Sequence, residues 1–191
     1  FTDVLEHLVQ GNKDYVHLTE PSEFVALAQG QTPQILWIGS ADSRIPETTV
    51  CHCKPGEIFV HHNIANTFHA HDFNVASDVE YTVMFLEVEK IVVCGHTQCG
   101  GVFAALSDHD LGQTLNPWLH PIRVLRRTHI LEQTELPNGD ARSAHPVILN
   151  VQNSSSVVEG FPMVEKAICE LTLTSHGLIC DIRVGKLRIV N

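Results

Sequence analysis

The stretch Gln34-Ile35-Leu36-Trp37-Ile38-Gly39, followed by Ser40-Ala41-Asp42-Ser43-Arg44, decides the fold class of this chain. Its unbroken apolar run, closed by glycine, predicts a strand that is buried on both faces. Similar runs follow at 58–61 and 90–95, and the segment 75–88 between them has the periodicity of a helix. Strands that alternate with helices are typical of a mainly parallel sheet covered by helices, so we expect an α/β fold.

The remaining segments continue this pattern without a repeat or a low-complexity linker. Helical periodicity predicts an arm of two helices in residues 1–30. Three further helices are expected at 116–133, 141–158 and 161–173. The runs 178–184 and 187–190 predict a C-terminal hairpin with a two-residue turn at Gly185-Lys186. A length of 191 residues, 43% of them apolar, suffices for one core, so we expect a single domain over residues 1–191.

Charge and composition exclude several classes of function. With 12 Lys+Arg against 22 Asp+Glu, the formal net charge is −10, so we expect neither a nucleic-acid nor a membrane partner. The sequence has no apolar run near the roughly 20 residues of a spanning helix, and residues 1–20 lack the layout of a secretory signal. Six irregularly spaced cysteines do not form the dense framework of a small secreted protein. We therefore expect a cytoplasmic protein, or a mitochondrial one if a leader has been removed.

Chemically active side chains follow two of the predicted strands. Ser40, Asp42 and Arg44 come after the first strand, and His96 and Cys99 come after the third. Because ligands gather at the carboxyl ends of parallel strands, we expect one shared site at this edge. Imidazole and thiolate ligands favour zinc over magnesium or calcium. A His-x-x-Cys pair alone is a weak signal, and the Asp-x-Arg pair on a neighbouring edge strengthens it.

The two motifs together resemble those of the β-class carbonic anhydrases, whose signature is Cys-x-Asp-x-Arg on one strand edge and His-x-x-Cys on another. The resemblance covers nearly the whole chain, in blocks that follow the family's order. These blocks are 30–33, 37–47, 54–66, 94–101 and 176–181. The resemblance implies the β-carbonic anhydrase fold, a zinc cofactor, and reversible hydration of CO2 to bicarbonate and a proton by water activated on zinc. The chain has 13 histidines, and those near the site would carry the proton away.

The resemblance also implies roles for individual residues. His96 and Cys99 match two zinc ligands. Asp42 matches an aspartate that occupies the zinc in a closed state, and Arg44 matches the arginine that pairs with this carboxylate and keeps it off the metal. Gln31 matches a glutamine that reaches the substrate from the neighbouring subunit, so the resemblance implies a homodimer or a dimer of dimers.

Ser40 departs from the family at the first ligand position, where a cysteine is expected. An alcohol is essentially unionised near neutral pH, so we expect zinc to bind more weakly through Ser40, or to recruit Asp42 or a water instead, and CO2 hydration to be impaired. One alternative is a catalytically silent homologue with weak or no zinc that acts as a dimerising or interaction protein. Another is Cys99, beside His96, acting as a nucleophile toward an ester or thioester. The sequence does not distinguish a natural serine from one introduced to disable the site.

Overall fold

The computed structural model describes residues 3–107, 109–136 and 139–190, with the backbone alone at 133 and 140. Contacts within the chain divide it into two compact units, Phe1–Thr32 and Pro33–Asn191. Two helices form the first unit, α1 (Val4–Leu18) and α2 (Pro21–Ala28). The single domain over residues 1–191 stays a prediction, and positions 1, 2 and 191 lie outside the described residues. No helix in the described ranges is both long and apolar enough to cross a membrane.

The second unit is built on a sheet in which the described residues form five strands, in the order β2-β1-β3-β4-β5. The strands are β1 (Ile35–Ser40), β2 (Ile58–Asn63), β3 (Lys90–His96), β4 (Thr174–Asp181) and β5 (Lys186–Ile189). The first four are parallel, and β5 runs antiparallel to β4. This arrangement confirms the predicted α/β fold with a mainly parallel sheet and a C-terminal hairpin. Gly39 pairs with Cys94, so β1 and β3 end at the same edge.

Helices flank the sheet. They are α3 (Glu47–Val50), α4 (Phe73–Met84), α5 (Gly100–Leu106), α6 (Gly112–Trp118), α7 (His120–Thr128), α8 (Ile130–Glu135), α9 (Asp140–Glu159) and α10 (Pro162–Cys169). The predicted single helix at 116–133 is wrong, because breaks at Leu119 and His129 divide it among α6, α7 and α8. Pro121 explains the first break, since it has no N–H to continue the helix. At the second break, the Thr128 hydroxyl binds carbonyls of the preceding turn, which competes with regular helix bonding.

The predicted two-residue turn of the hairpin is also wrong. Asp181 pairs with Lys186, so residues 182–185 form a four-residue connection. The Asp181 carboxylate accepts a hydrogen bond from the Arg183 backbone N–H at 3.1 Å, and its carbonyl accepts one from the Gly185 N–H at 2.8 Å. Gly185 supplies the positive φ of 67° that the connection requires. These turn contacts outweigh the strand preference of the β-branched residues at 182 and 184.

The core lies on both faces of the sheet. On one face, Leu36 and Ile38 of β1 and Ile91 and Val93 of β3 pack with buried valines of α4, α9 and α10. On the other face, a smaller cluster contains Trp37, Val92 and Cys94. Neighbouring residues of each strand thus point to opposite faces, and both faces are buried, as expected for a parallel sheet.

Candidate metal centre

The predicted site residues of the second unit gather at the carboxyl edge of β1 and β3. Ser40 is the last residue of β1 and is buried, and Asp42 and Arg44 lie in the loop that follows. His96 ends β3, and Cys99 precedes α5 as its N-cap. The Asp42 Oδ2 atom lies 3.7 Å from His96 Nε2, which joins the two halves of the site. The prediction of one shared site at this edge agrees with this geometry.

The imidazole of His96 is oriented by its own loop. Its Nδ1 atom donates a hydrogen bond of 2.9 Å to the Thr97 carbonyl, which leaves Nε2 as the nitrogen with a free lone pair. The side chain is completely buried, and Nε2 forms no hydrogen bond of regular geometry with a described residue. Burial lowers the pKa of the imidazole, but the neighbouring Cys99 thiol, the Thr97 carbonyl and the Asp42 carboxylate raise it, so the pKa lies above its ordinary value. A buried polar atom without a partner costs free energy, on the order of 1–3 kcal/mol. A metal ion at Nε2 would remove that cost.

Cys99 is held as the second candidate ligand. Burial raises the pKa of its thiol, but interaction with His96 and hydrogen bonds from the backbone amides of Val102 and Gly101 outweigh burial, so the pKa lies below its ordinary value. An ionised sulfur is the form that binds zinc. The side chain is only 2% exposed, which restricts access of an ester and argues against Cys99 as a nucleophile.

Asp42 and Arg44 form the bidentate pair that the sequence predicts. Arg44 Nε lies 2.8 Å from Asp42 Oδ1, and Arg44 Nη2 lies 2.7 Å from Asp42 Oδ2. The backbone N–H of Arg44 adds a hydrogen bond of 3.0 Å to Oδ1. The guanidinium hydrogen bonds, opposed by partial burial, lower the pKa of Asp42 to about 2. The carboxylate is therefore ionised and engaged by Arg44 rather than by His96.

Sequence reasoning missed the contacts that hold the loop between His96 and Cys99. The Thr97 hydroxyl donates to Asp181 Oδ1 at 3.2 Å and accepts from the Ile182 N–H at 3.1 Å, which fastens the loop to the end of β4. The Gln98 carbonyl accepts a further hydrogen bond of 3.2 Å from Arg44 Nη2, and its backbone has a positive φ of 56°. Asp181 stands in the last of the family-like sequence blocks, the one signal that could have pointed to this contact.

Two histidines of β2, which could take part in the predicted release of the proton, contact carboxylates. His61 is buried, with Nδ1 at 2.8 Å from Asp78 Oδ2. His62 has Nε2 at 2.8 Å from Oε2 of the buried Glu47. A role of these side chains in proton release stays a prediction.

Gln31 belongs to the first unit, where it follows α2 and is exposed. Its predicted role requires the neighbouring subunit, and it too stays a prediction.

The donor set fits zinc in part. The unpartnered His96 Nε2 and the Cys99 sulfur are suitable ligands, and the buried Ser40 hydroxyl stands in the third position. Over the described ranges, no group of three histidine, cysteine, aspartate or glutamate side chains is arranged to hold a metal. The site therefore has two candidate ligands of suitable chemistry, a serine at the third position matched by the sequence, and Asp42 Oδ2 as a further oxygen donor 3.7 Å from His96 Nε2.

Comparison with known proteins places this site in a family. A family model described as carbonic anhydrase matches residues 35–187. A carbonic anhydrase of Emericella nidulans is 40% identical over 173 residues, which cover 90% of this chain and 75% of that protein. One from Candida albicans is 34% identical over 188 residues, which cover 96% of this chain and 66% of that protein.

Solved structures agree. One of two tetrameric β-carbonic anhydrases of Sordaria macrospora matches with a TM-score of 0.95 and 37% identity, over 99% of this chain and 98% of that one. The β-carbonic anhydrase CafA of Aspergillus fumigatus matches with a TM-score of 0.94 and 40% identity, over 99% of this chain and 91% of that one. The chain therefore belongs to the β class of the carbonic anhydrases, a family of zinc enzymes that hydrate CO2.

Proposed function

We propose that this carbonic anhydrase hydrates CO2 with a zinc ion held by His96 and Cys99, and that Ser40 in the third ligand position weakens both metal binding and turnover. The observation that carries the proposal is the buried His96 Nε2, which has no partner among the described residues while Nδ1 is engaged by Thr97. A buried nitrogen without a hydrogen bond costs free energy, and coordination to a metal ion would remove that cost.

The residues around the site have distinct tasks. Thr97 fixes the tautomer and the direction of the His96 ring, the role of a supporting partner in zinc sites generally. Arg44 holds the Asp42 carboxylate through two guanidinium contacts and keeps it from competing with water for the metal. Zinc, when bound, supplies the Lewis acidity that lets water attack CO2 near neutral pH.

Ser40 is the reason to expect impairment. Its hydroxyl stays protonated near neutral pH and offers zinc a neutral oxygen in place of an ionised sulfur. The Asp42 Oδ2 atom is 3.7 Å from His96 Nε2, so this carboxylate is placed to make up the deficit. Because Arg44 and the metal would then compete for one carboxylate, recruitment of Asp42 would weaken the ion pair.

The test is a paired measurement of zinc and rate on the purified chain. We expect zinc at a stoichiometry that rises with free zinc, together with CO2 hydration above that of the Cys99→Ser variant, which loses its remaining thiolate ligand. An empty site at saturating zinc, with no rate above that variant, would contradict the proposal. That result would favour the silent homologue that acts as a dimerising or interaction protein.

The enzyme is also proposed to self-associate as a homodimer or a dimer of dimers, with Gln31 reaching the substrate of the neighbouring subunit. Apolar side chains along α1 are each more than half exposed, which in a soluble protein marks an interaction surface. They are Val4, Leu5, Leu8, Val9, Val16 and Leu18. Light scattering after gel filtration should show at least a dimer, and Leu8→Glu should reduce its mass. A monomeric parent chain would exclude this assembly.

Gln31→Ala provides a separate test of the shared site. We expect it to lower kcat/KM for CO2 without changing the mass of the assembly. Wild-type kinetics in this variant would remove Gln31 from the site.

A cytoplasmic location is the last part of the proposal. All six cysteines are free thiols, which suits a reducing compartment. Imaging of the tagged full-length protein tests this; a mitochondrial signal would support the alternative of a removed leader, and a secretory signal would contradict the proposal.

A further inference from the structure

A cavity of about 480 Å3 lies between the start of α9 and the hairpin of β4 and β5. Its wall includes Thr97 and Gln98, the two residues between the candidate metal ligands. Three cationic side chains of the hairpin also border it, Arg183, Lys186 and Arg188. The volume falls within the range of about 300–1,000 Å3 that is typical of small-molecule sites.

Positive charge is concentrated here in a chain that is otherwise acidic. The chain has 12 Lys and Arg against 22 Asp and Glu, so a quarter of its cationic side chains border this one cavity. Asp181 is the one carboxylate among the described lining residues, and it accepts hydrogen bonds from Arg183 Nε at 3.3 Å and Nη2 at 3.2 Å. Over the ranges described, the side chains of Lys186 and Arg188 make no hydrogen bond or ion pair. Positive charge therefore exceeds negative charge around the cavity.

The strand geometry directs two of these cations to the same side. Lys186 and Arg188 are two residues apart on β5, so their side chains lie on one face of the sheet. Arg188 pairs with Ile179 of β4, and the Ile179 side chain is buried in a cluster with Val147 of α9. That face is the one covered by α9, where the cavity lies.

We infer that this cavity binds a small organic anion that carries a phosphate group. A guanidinium fork binds phosphate through two parallel hydrogen bonds, and a lysine ammonium adds a point charge. Ala144 and Val184 also line the cavity and provide apolar contact for an organic body. Neither His96, Cys99 nor Asp42 is among the described residues that line the cavity, so it lies beside the candidate metal centre rather than within it. The inference goes beyond CO2 hydration and does not depend on it.

The proposed site is connected to the candidate metal centre by the loop that both share. Thr97 hydrogen-bonds Asp181, which in turn binds Arg183 of the cavity. The Gln98 carbonyl accepts a hydrogen bond from Arg44. An anion that draws Arg183 away from Asp181 would loosen this loop, so occupancy should change the rate of CO2 hydration.

Calorimetric titration of the full chain tests the site at about 0.15 M salt, where distant surface charges are screened. The probes are adenosine 5′-monophosphate and inorganic pyrophosphate, with adenosine as the ligand that lacks phosphate. We expect saturable binding of at least one phosphate probe, at least tenfold tighter than adenosine. The double variant Lys186→Gln/Arg188→Gln should bind it at least tenfold more weakly, because two charged contacts are removed.

A charge-matched control separates this site from general attraction. Lys90→Gln/Lys166→Gln removes the same charge at exposed positions outside the cavity lining, and it should leave the affinity unchanged. Equal weakening in both double variants would overturn the inference, as would the absence of saturable binding of either phosphate probe. Thermal unfolding of each variant establishes that the fold is retained. Because binding is measured on metal-free chain as well, a failure of the zinc proposal would not affect the result.

Discussion

Ser40→Cys should raise the affinity for zinc by at least about a hundredfold. Changing an outer partner that merely orients a zinc ligand costs about 10–100-fold in affinity, so a direct ionised ligand should be worth no less than the upper end of that range. Ser40 is 4% exposed at the end of β1, and sulfur replaces oxygen there without adding another atom. We therefore expect little change in packing and attribute the gain to the thiolate.

The assay is competition with a chromophoric zinc chelator near neutral pH, followed by stopped-flow measurement of CO2 hydration on the same samples. Ser40→Ala is the matched control, because it removes the hydroxyl without adding a thiolate. If the hydroxyl is a poor ligand, the alanine variant should bind zinc with an affinity within about threefold of the parent's. This difference is small compared with the roughly 10–100-fold loss that follows the change of a residue that only orients a zinc ligand. The cysteine variant should gain both affinity and rate.

An unchanged affinity in Ser40→Cys would refute the reasoning, because it would mean that position 40 does not face the metal. Restored zinc with a background rate would separate binding from turnover. In that case the disabling change lies elsewhere, and His62, which contacts the buried Glu47, would be the next position to exchange.

Three further predictions concern the neighbouring structure. In metal-free protein, Arg44→Ala should raise the pKa of Asp42 from about 2 toward 3.8, measured by carboxyl NMR. The depressed pKa stabilises the parent fold above about pH 4, and the parent loses this stability as the pH falls from 4 to 2. The variant lacks this stability at every pH, so its free energy of unfolding should change less over that range. Gly95→Ala should cost about 1–3 kcal/mol in urea unfolding, because its Cβ would lie 2.8 Å and 2.9 Å from two α9 valine carbons. Gly11→Ala adds a methyl group in open space inside α1 and should stabilise the fold slightly, by up to about 1 kcal/mol. Asn150→Ala should cost about 1–3 kcal/mol by the same assay, because a buried loop carbonyl loses its donor at 2.7 Å; an unchanged midpoint would contradict this.

The parts of the fold that sequence predicted best are those whose burial is continuous. β1 and β3 are apolar without interruption because both faces of the sheet are covered, and their ends place Ser40 and His96 at one edge. The helix at 116–133 failed because periodicity continues across Pro121, which removes a backbone donor without changing the apolar pattern. The hairpin turn failed because side-chain capping by Asp181 decided its length.

The sequence predicted the candidate ligands and the edge where they lie, but not the contacts that support them. Ligand identity follows from chemistry that each residue carries alone, as with His96 and Cys99. The supporting contact between Thr97 and Asp181 joins residues 84 positions apart, and no local pattern marks it. The positive φ of Gln98 could not be predicted either, because glycine is the usual sequence signal for that conformation and position 98 is a glutamine.

The conformation of the loop that carries His96 and Cys99 bears on whether this protein still binds zinc. A non-glycine residue with positive φ costs on the order of 1 kcal/mol, and the unpartnered Nε2 of His96 costs a comparable amount or more. Both costs fall in the loop that carries His96 and Cys99, the two candidate ligands. A bound metal would offset the cost of the His96 Nε2 atom, and the backbone conformation of Gln98 shapes the loop between the two candidate ligands. The proposal that Ser40 weakens a zinc site therefore predicts that restoring one sulfur is enough to restore binding.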